Sequence, residues 1–393
     1  MKKIPYARQS ISDKDIKALL KATGSDWLTQ GPEVRKFEED LAGYVGAKHA
    51  VAVSSGTAAL HLAMLALGVG QGDKVLTSPV TFAASANCAL YVGAEPAFID
   101  IDGTTYHMDP EKLDSFLEKP SNRKRVKAVI LVHLMGTVAD IVGIKRICDR
   151  YGIPLVEDAA HALGARYSSR GKWFKTGSCA HSKAVIASFH PIKHITTGEG
   201  GAVFTNDKNV YERILRFRHH GMVKGGSDLA PHLKKYSRQQ WFYDIPEVGF
   251  NYRITDFQCA LGSSQLKRLD EFVEKRRKIA ARYNEAFSDM DQIQLPCQRG
   301  NSYASYHLYV IRVPAEKRDA LYAYLRGKNI LTQVNYIPVH LFSHYGKNFG
   351  YAPGDYPEAE RYFEECLSLP MYPSLGEKDQ NRVIKNIRGF FRT

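Results

Sequence analysis

Long apolar runs are missing from these 393 residues, and no stretch approaches the length of a membrane span. The opening residues, Met1-Lys2-Lys3-Ile4-Pro5-Tyr6-Ala7-Arg8, have the charges of an export signal without the apolar segment that should follow. Neither export nor anchoring is expected. Cysteine is sparse: Cys88, Cys148, Cys179, Cys259, Cys297 and Cys366 form no C-x-x-C pair. That scatter speaks against a disulfide framework and against a zinc site, and it fits a reducing, cytoplasmic setting. Solenoid-length repeats and low-complexity segments are absent as well.

What remains is ordinary for a folded chain. Hydrophobic residues at 44%, aromatic at 11% and charged at 24% exclude disorder and fibrous architectures. Lys and Arg outnumber Asp and Glu by 54 to 41, a net charge of +13, which biases the surface toward anionic partners. The basic residues are dispersed, with only modest clusters at Arg123-Lys124-Arg125 and Arg216-Phe217-Arg218-His219-His220. Nucleic-acid binders usually concentrate their charge, so a solvated face is the better reading, and neither nucleic acid nor membrane is expected as a partner.

The length suits a large α/β domain with a smaller companion. Ser12 before Asp13-Lys14-Asp15 predicts a helix to about Ala22, and Pro32 opens a second helix that ends at Gly46. From Lys48 to Thr205 short apolar runs alternate with helical stretches, the pattern of crossover units and a mostly parallel sheet. Seven strands are predicted: Ala50 to Val53, Lys74 to Thr77, Glu95 to Ile99, Lys127 to Val132, Pro154 to Glu157, Ala184 to Ser188 and Ala202 to Thr205. Residues 221–243, Gly-rich and then aromatic, read as a long loop or lid. One long helix, Asp256 to Phe287, leads into an α+β unit with strands Tyr306 to Val313 and Leu331 to Val334. Helices Ala315 to Arg326 and Glu377 to Phe391 complete it. The division expected is 1–255 and 256–393.

Three features carry chemistry. Ser54-Ser55-Gly56-Thr57-Ala58 turns from a strand into a helix, offering free amides, hydroxyls and a positive helix end to a phosphate, although such a cap is often only structural. It is not a P-loop, because no Gly-Lys-Ser/Thr follows. Val156-Glu157-Asp158-Ala159-Ala160-His161 ends a strand in carboxylates, where an open parallel sheet binds ligands; a helix cap is the alternative for Asp158. Lys193 lies in a loop between two apolar runs, where a lone lysine is ordinarily a surface charge. Together, a phosphate site, an acid after a later strand and a lysine further on are the parts a pyridoxal phosphate enzyme needs. Phe82 stands where it could cover the ring, or simply belong to the core.

These residues resemble a known family. Leu28-Thr29-Gln30-Gly31-Pro32, Ser55-Gly56-Thr57-Ala58-Ala59-Leu60, Glu157-Asp158-Ala159-Ala160-His161, Ser188-Phe189-His190-Pro191-Ile192-Lys193 and Gly249-Phe250-Asn251-Tyr252-Arg253 are similar, in order and over nearly the whole chain, to the DegT/DnrJ/EryC1/StrS sugar aminotransferases. The resemblance implies a fold-type I pyridoxal phosphate transferase that aminates nucleotide-linked keto sugars, with pyridoxamine phosphate formed during turnover. It makes Lys193 the Schiff-base lysine, Asp158 the partner of the ring nitrogen, His161 the neighbour of the ring oxygen and Phe82 the stacking aromatic. Gly56, Thr57 and Ser188 match phosphate contacts, and Asn251 matches a residue reaching the phosphate from the other subunit of a homodimer. Tyr6, Asp26, Trp27, Leu28, Thr29, Arg253, Asn335, Tyr336, Ile337 and Pro338 fall where relatives hold the nucleotide sugar.

Many relatives have Gln where His161 stands. His161 and the run from His190 to Gly201 resemble the branch acting at C4 of UDP-linked 4-keto-6-deoxy-N-acetylhexosamines, as in pseudaminic acid biosynthesis, with L-glutamate as the amino donor. Competing readings fare less well. Related dehydratases carry His in place of the lysine, and a noncatalytic nucleotide-sugar binder should have lost Lys193 or Asp158. A metal hydrolase built on His190 and His194 needs them on one helix, and Pro191 lies between them. The glycines of Gly68-Val69-Gly70-Gln71-Gly72 follow a helix and precede a strand, the reverse of a dinucleotide motif.

Overall fold

Strand residues of this chain alternate between two apolar layers. Ala50 and Ala52 join one core cluster while Val51 and Val53 join another, and Val129 and Leu131 alternate with Ala128 and Ile130 in the same way. A strand buried on both faces needs a layer of helices on each side, and these runs therefore build the middle layer of a three-layer α/β domain. The computed structural model describes residues 2–225 and 229–392.

The central sheet has seven strands: β1 (His49–Val53), β2 (Lys74–Thr77), β3 (Glu95–Phe98), β4 (Val126–Val132), β5 (Leu155–Asp158), β8 (Ala184–Ser188) and β9 (Gly201–Thr205). Their spatial order is β1-β9-β8-β5-β4-β2-β3. Strands β2, β3, β4, β5 and β8 run parallel, and β9 pairs antiparallel with both β8 and β1. All seven predicted strands are present within a residue or two. Helices Pro32–Val45 and Ile141–Arg150 cover one face; Gly56–Ala66, Ala84–Leu90 and Lys208–Arg218 cover the other. This is the fold-type I pyridoxal phosphate transferase architecture, with a smaller C-terminal α+β unit.

Three sequence expectations need correction, and a fourth feature was not anticipated. The helix expected from Asp256 to Phe287 is two, Asp256–Leu266 and Leu269–Phe287. Arg268 leaves helical geometry at φ −108°, ψ 2°, and its guanidinium turns to the buried Asp15 carboxylate 3.1 Å away. The strand expected at Tyr306 to Val313 is only β11 (Tyr309–Arg312), because Tyr306 adopts φ +49°. Residues 331–334 form no strand; a single bridge joins Gln333 to Ser368. The partner of β11 is instead β12 (Cys366–Leu369). The fourth is a three-stranded sheet that the sequence pattern does not announce: β6 (Arg166–Ser169), β7 (Lys172–Lys175) and β10 (Ser302–Tyr303).

Helix Leu269–Phe287 serves both units: Leu269, Phe272 and Val273 lie in the large core, Ile279, Ala280, Tyr283 and Phe287 in the C-terminal one. Along residues 221–243, Val223 bridges Asp244 and a 3-10 turn spans Pro231–Tyr236; residues 226–228 lie outside the described residues. Among the described residues, no helix is long and apolar enough to cross a membrane.

Candidate active site

Parallel strands place their carboxyl ends on one edge of the sheet, and there the chain forms a cavity of about 420 Å³. Val132, Asp158 and Ser188 reach it from the ends of β4, β5 and β8, and Gly56 and Thr57 from the helix that follows β1.

One wall is an anion cradle. The Ser55 side chain caps the helix Gly56–Ala66 by accepting the Ala58 amide at 3.0 Å, which leaves the amides of Gly56 and Thr57 without helical partners at the positive end of the dipole. The helix start presses against β8: a Cβ on Gly56 would lie 3.1 Å from Ser188 Cβ. Glycine thus lets the backbone amides and the Thr57 and Ser188 hydroxyls face one space. Gly201 holds the cradle from behind, since a Cβ there would lie 2.5 Å from the Ser55 carbonyl carbon.

Across the cavity stands Asp158, only 6% exposed. Ser85 Oγ donates to its Oδ2 at 2.6 Å, and the Ala160 amide donates to Oδ1 at 3.0 Å. Lys193 projects from the loop after β8, its amide bonded to the His190 carbonyl at 2.9 Å. Its Nζ lies 3.4 Å from His307 Nε2. Burial pushes the amine down to about 8; Asp158 opposes that shift and buried Arg276 adds to it. His161, His194 and His307 surround it, all buried and all held neutral well below the usual histidine value, with burial the main cause and their charged neighbours adding to it.

His161 Nε2 meets Tyr336 Oη at 3.1 Å, and its ring stands 4.3 Å from that of His307. Tyr6 Oη donates to Asn335 Oδ1 at 3.2 Å, joining the N-terminal segment to residues 333–336 on the outer wall. Phe82 lines the mouth, 61% exposed and 6.1 Å from the Tyr336 ring.

Of the residues singled out in the sequence, the structure brings together Tyr6, Gly56, Thr57, Phe82, Asp158, His161, Ser188, Lys193, Asn335 and Tyr336. It does not bring Asp26, Trp27, Leu28, Thr29, Asn251, Arg253, Ile337 or Pro338 to the wall of this cavity. Arg253 instead shares a second hollow with Gln30, Gly31 and His219, its Nη1 2.9 Å from His219 Nδ1, while Asn251 bridges His219. Sequence reasoning missed Thr81, Ser85, Arg276 and His307. No local motif marks them; each acquires a neighbour in the site only through folding. Among the described residues, no group of three or more His, Cys, Asp or Glu side chains is placed to hold a metal ion.

The donor set fits pyridoxal 5′-phosphate. Amides and hydroxyls at a helix start suit its phosphate, a buried carboxylate suits a protonated ring nitrogen, and an amine held near neutrality suits its aldehyde. Comparisons with known proteins agree. Residues 9–388 match the sequence profile of the DegT/DnrJ/EryC1/StrS aminotransferase family. The chain is 38% identical over 390 residues to the spore coat polysaccharide biosynthesis protein SpsC of Bacillus subtilis, covering 98% of this chain and 96% of SpsC. It is 39% identical over 385 residues to the UDP-4-amino-4,6-dideoxy-N-acetyl-beta-L-altrosamine transaminase of Campylobacter jejuni, covering 97% of this chain and 95% of the other. Among solved structures, PseC of Helicobacter pylori, an aminotransferase of pseudaminic acid biosynthesis, superposes with a TM-score of 0.88 at 29% identity, with both chains fully covered.

Proposed function

The chain belongs to the DegT/DnrJ/EryC1/StrS aminotransferase family, and from that premise we propose that it moves the amino group of L-glutamate to C4 of a UDP-linked 4-keto-6-deoxy-N-acetylhexosamine. The proposed acceptor is UDP-2-acetamido-2,6-dideoxy-β-L-arabino-hexos-4-ulose, and 2-oxoglutarate is the other product. One observation carries the aminotransferase reading: Lys193, Asp158 and the Ser55-to-Thr57 helix start line one cavity. The choice of sugar is supported by the likeness to the Campylobacter jejuni transaminase and by His161 beside Lys193.

When bound, pyridoxal 5′-phosphate supplies an aldehyde and an electron-withdrawing ring. Gly56, Thr57 and Ser188 would hold its phosphate, Asp158 would keep its ring nitrogen protonated, and Phe82 would cover its face. Lys193 Nζ, unprotonated in good part near pH 8, takes the proton from Cα of L-glutamate and in the second half-reaction returns one to C4 of the sugar. His307 accepts a hydrogen bond from the freed amine and orients it. Tyr6, Asn335 and Tyr336 bound the space left for the sugar. Six free cysteines, five of them buried, suit the reducing cytoplasm in which we place the reaction.

The test is the visible absorbance of the purified protein supplied with pyridoxal phosphate. L-Glutamate should bleach it, the UDP-4-keto sugar should restore it, and the product should carry its new nitrogen at C4 by NMR. Lys193→Ala should show neither change. A colourless protein after cofactor addition would overturn the enzyme reading. Bleaching by glutamate that only a different nucleotide keto sugar reverses would overturn the choice of sugar.

A further inference from the structure

Asp158 does not stand alone. Ser85, fully buried in helix Ala84–Leu90, lies 2.6 Å from Asp158 Oδ2 and 2.8 Å from Thr81 Oγ1. A carboxylate can only accept, so the Ser85 proton points at Asp158, and the Ser85 oxygen must then accept the Thr81 proton. The direction of the chain is thereby set: Thr81 donates to Ser85, and Ser85 donates to Asp158. Thr81 is itself 2% exposed and forms part of the cavity wall. With the Ala160 amide on Oδ1, each carboxylate oxygen has one donor from the protein. Two fixed donors hold the plane of the carboxylate against rotation.

We propose that Ser85, oriented by Thr81, is a positioning residue that fixes the orientation of the Asp158 carboxylate toward a protonated ring nitrogen. The inference rests on the cofactor reading above. It deepens that reading by assigning a task to two hydroxyls of the segment after β2, which no motif identifies. Thr81 lies in the bend two residues before the Ala83 cap of the helix that carries Ser85, and the turn of the chain into that helix brings the two hydroxyls within 2.8 Å. Removing the Ser85 hydroxyl leaves Asp158 Oδ2 without that donor inside a buried wall, so the carboxylate is free to turn away from the cavity.

The experiment measures binding to the apoprotein rather than turnover. Pyridoxamine phosphate and its analogue with carbon in place of the ring nitrogen are titrated into the native protein, Ser85→Ala, Ser85→Thr and Thr81→Val, with fluorescence as the readout. In Ser85→Ala the Kd for pyridoxamine phosphate should rise about tenfold or more, as for loss of a hydrogen bond to a charged group, while the carbon analogue should bind as it does to the native protein. Ser85→Thr should restore the preference for nitrogen, and Thr81→Val should lose part of it. An equal loss for both ligands, or no loss for either, would overturn the positioning role. If Ser85→Ala does not fold, Thr81→Val carries the same comparison. Native protein that binds neither ligand would instead overturn the cofactor reading, and the two failures are distinct.

Discussion

At the scale of single residues, the base role proposed for Lys193 needs an unprotonated nitrogen in a protein with net charge +13, and its surroundings supply one. The carboxylate acting on it is Asp158; buried Arg276 and three neutral histidines complete its surroundings. The stability consequence has a definite sign. Below pH 8 the amine is protonated in both states, and the folded state carries the full cost of burying it. Between pH 8 and its ordinary value of 10.5 the unfolded chain holds a proton that the folded chain has released, so stability rises with pH across that window. Apoprotein carrying Lys193→Met should therefore resist denaturant better than the native apoprotein at pH 7, with the advantage shrinking toward pH 10.5. An advantage independent of pH would show that burial of the charge is not its origin. Asp158→Asn keeps the shape and loses the charge proposed to face the ring nitrogen, and kcat/KM should fall by about 10² or more. A near-normal rate would leave Asp158 as the bond-acceptor for Ser85 and Ala160 and nothing more. Both residues were legible in the sequence, Asp158 because it ends an apolar run and Lys193 because it lies in the loop between two. Ser85 and His307 were not, since Ser85 is 73 positions from Asp158 and His307 is 114 from Lys193.

At the scale of elements, the cradle depends on contact between β9 and the start of helix Gly56–Ala66. Gly201→Ala would drive a methyl into the Ser55 carbonyl, and no flexible side chain is there to yield. We expect a loss of about 1–3 kcal/mol in unfolding free energy, the usual cost of overpacking, together with weaker cofactor binding by the apoprotein. The contrast is Gly43, in the interior of helix Pro32–Val45, where an added methyl would meet nothing within 4 Å; Ala there should stabilise by about 0.5–1 kcal/mol and leave cofactor binding alone. Thermal unfolding of the two variants in parallel separates backbone crowding from helix propensity. The same elements show what sequence reading reaches. The seven sheet strands are apolar runs buried on both faces, and their signal survives without tertiary information. The hairpin β6–β7 is short, half polar and turned at Arg170-Gly171, so its pattern resembles a loop. Residues 331–334 have the composition of a strand, yet Ile4 pairs with Ile330 and Gln333 with Ser368 through single bridges, and tertiary packing prevails over propensity.

At the scale of the whole molecule, several of the residues that do not reach the cavity stand exposed on the surface. Trp27 and Leu28 are more than half exposed, and Asn251 is exposed beside the hollow of Gln30, His219 and Arg253. Nearby in sequence, Trp241 and Val248 are 67% and 81% exposed, a large apolar area for water to cover. We propose that the working unit is a homodimer in which Asn251, Arg253 and residues 26–29 of each subunit complete the cavity of the other. The arrangement can be tested by mixing two inactive proteins. Lys193→Ala lacks the amine, and Asn251→Ala lacks the cross-subunit contact. In a hybrid dimer, the cavity of the Asn251→Ala subunit retains its own Lys193 and receives Asn251 from the Lys193→Ala subunit, so one site of the two is intact. Random re-pairing makes about half the dimers hybrid, and activity should return to roughly a quarter of the native value, rising with the time allowed for exchange. Mixtures that remain as inactive as their components, although native-gel shifts of a tagged subunit show that exchange has occurred, would mean that each site is built within one chain. Asn251 would then be a surface residue of the loop that follows Gly249, and the apolar side chains around it would need a different partner.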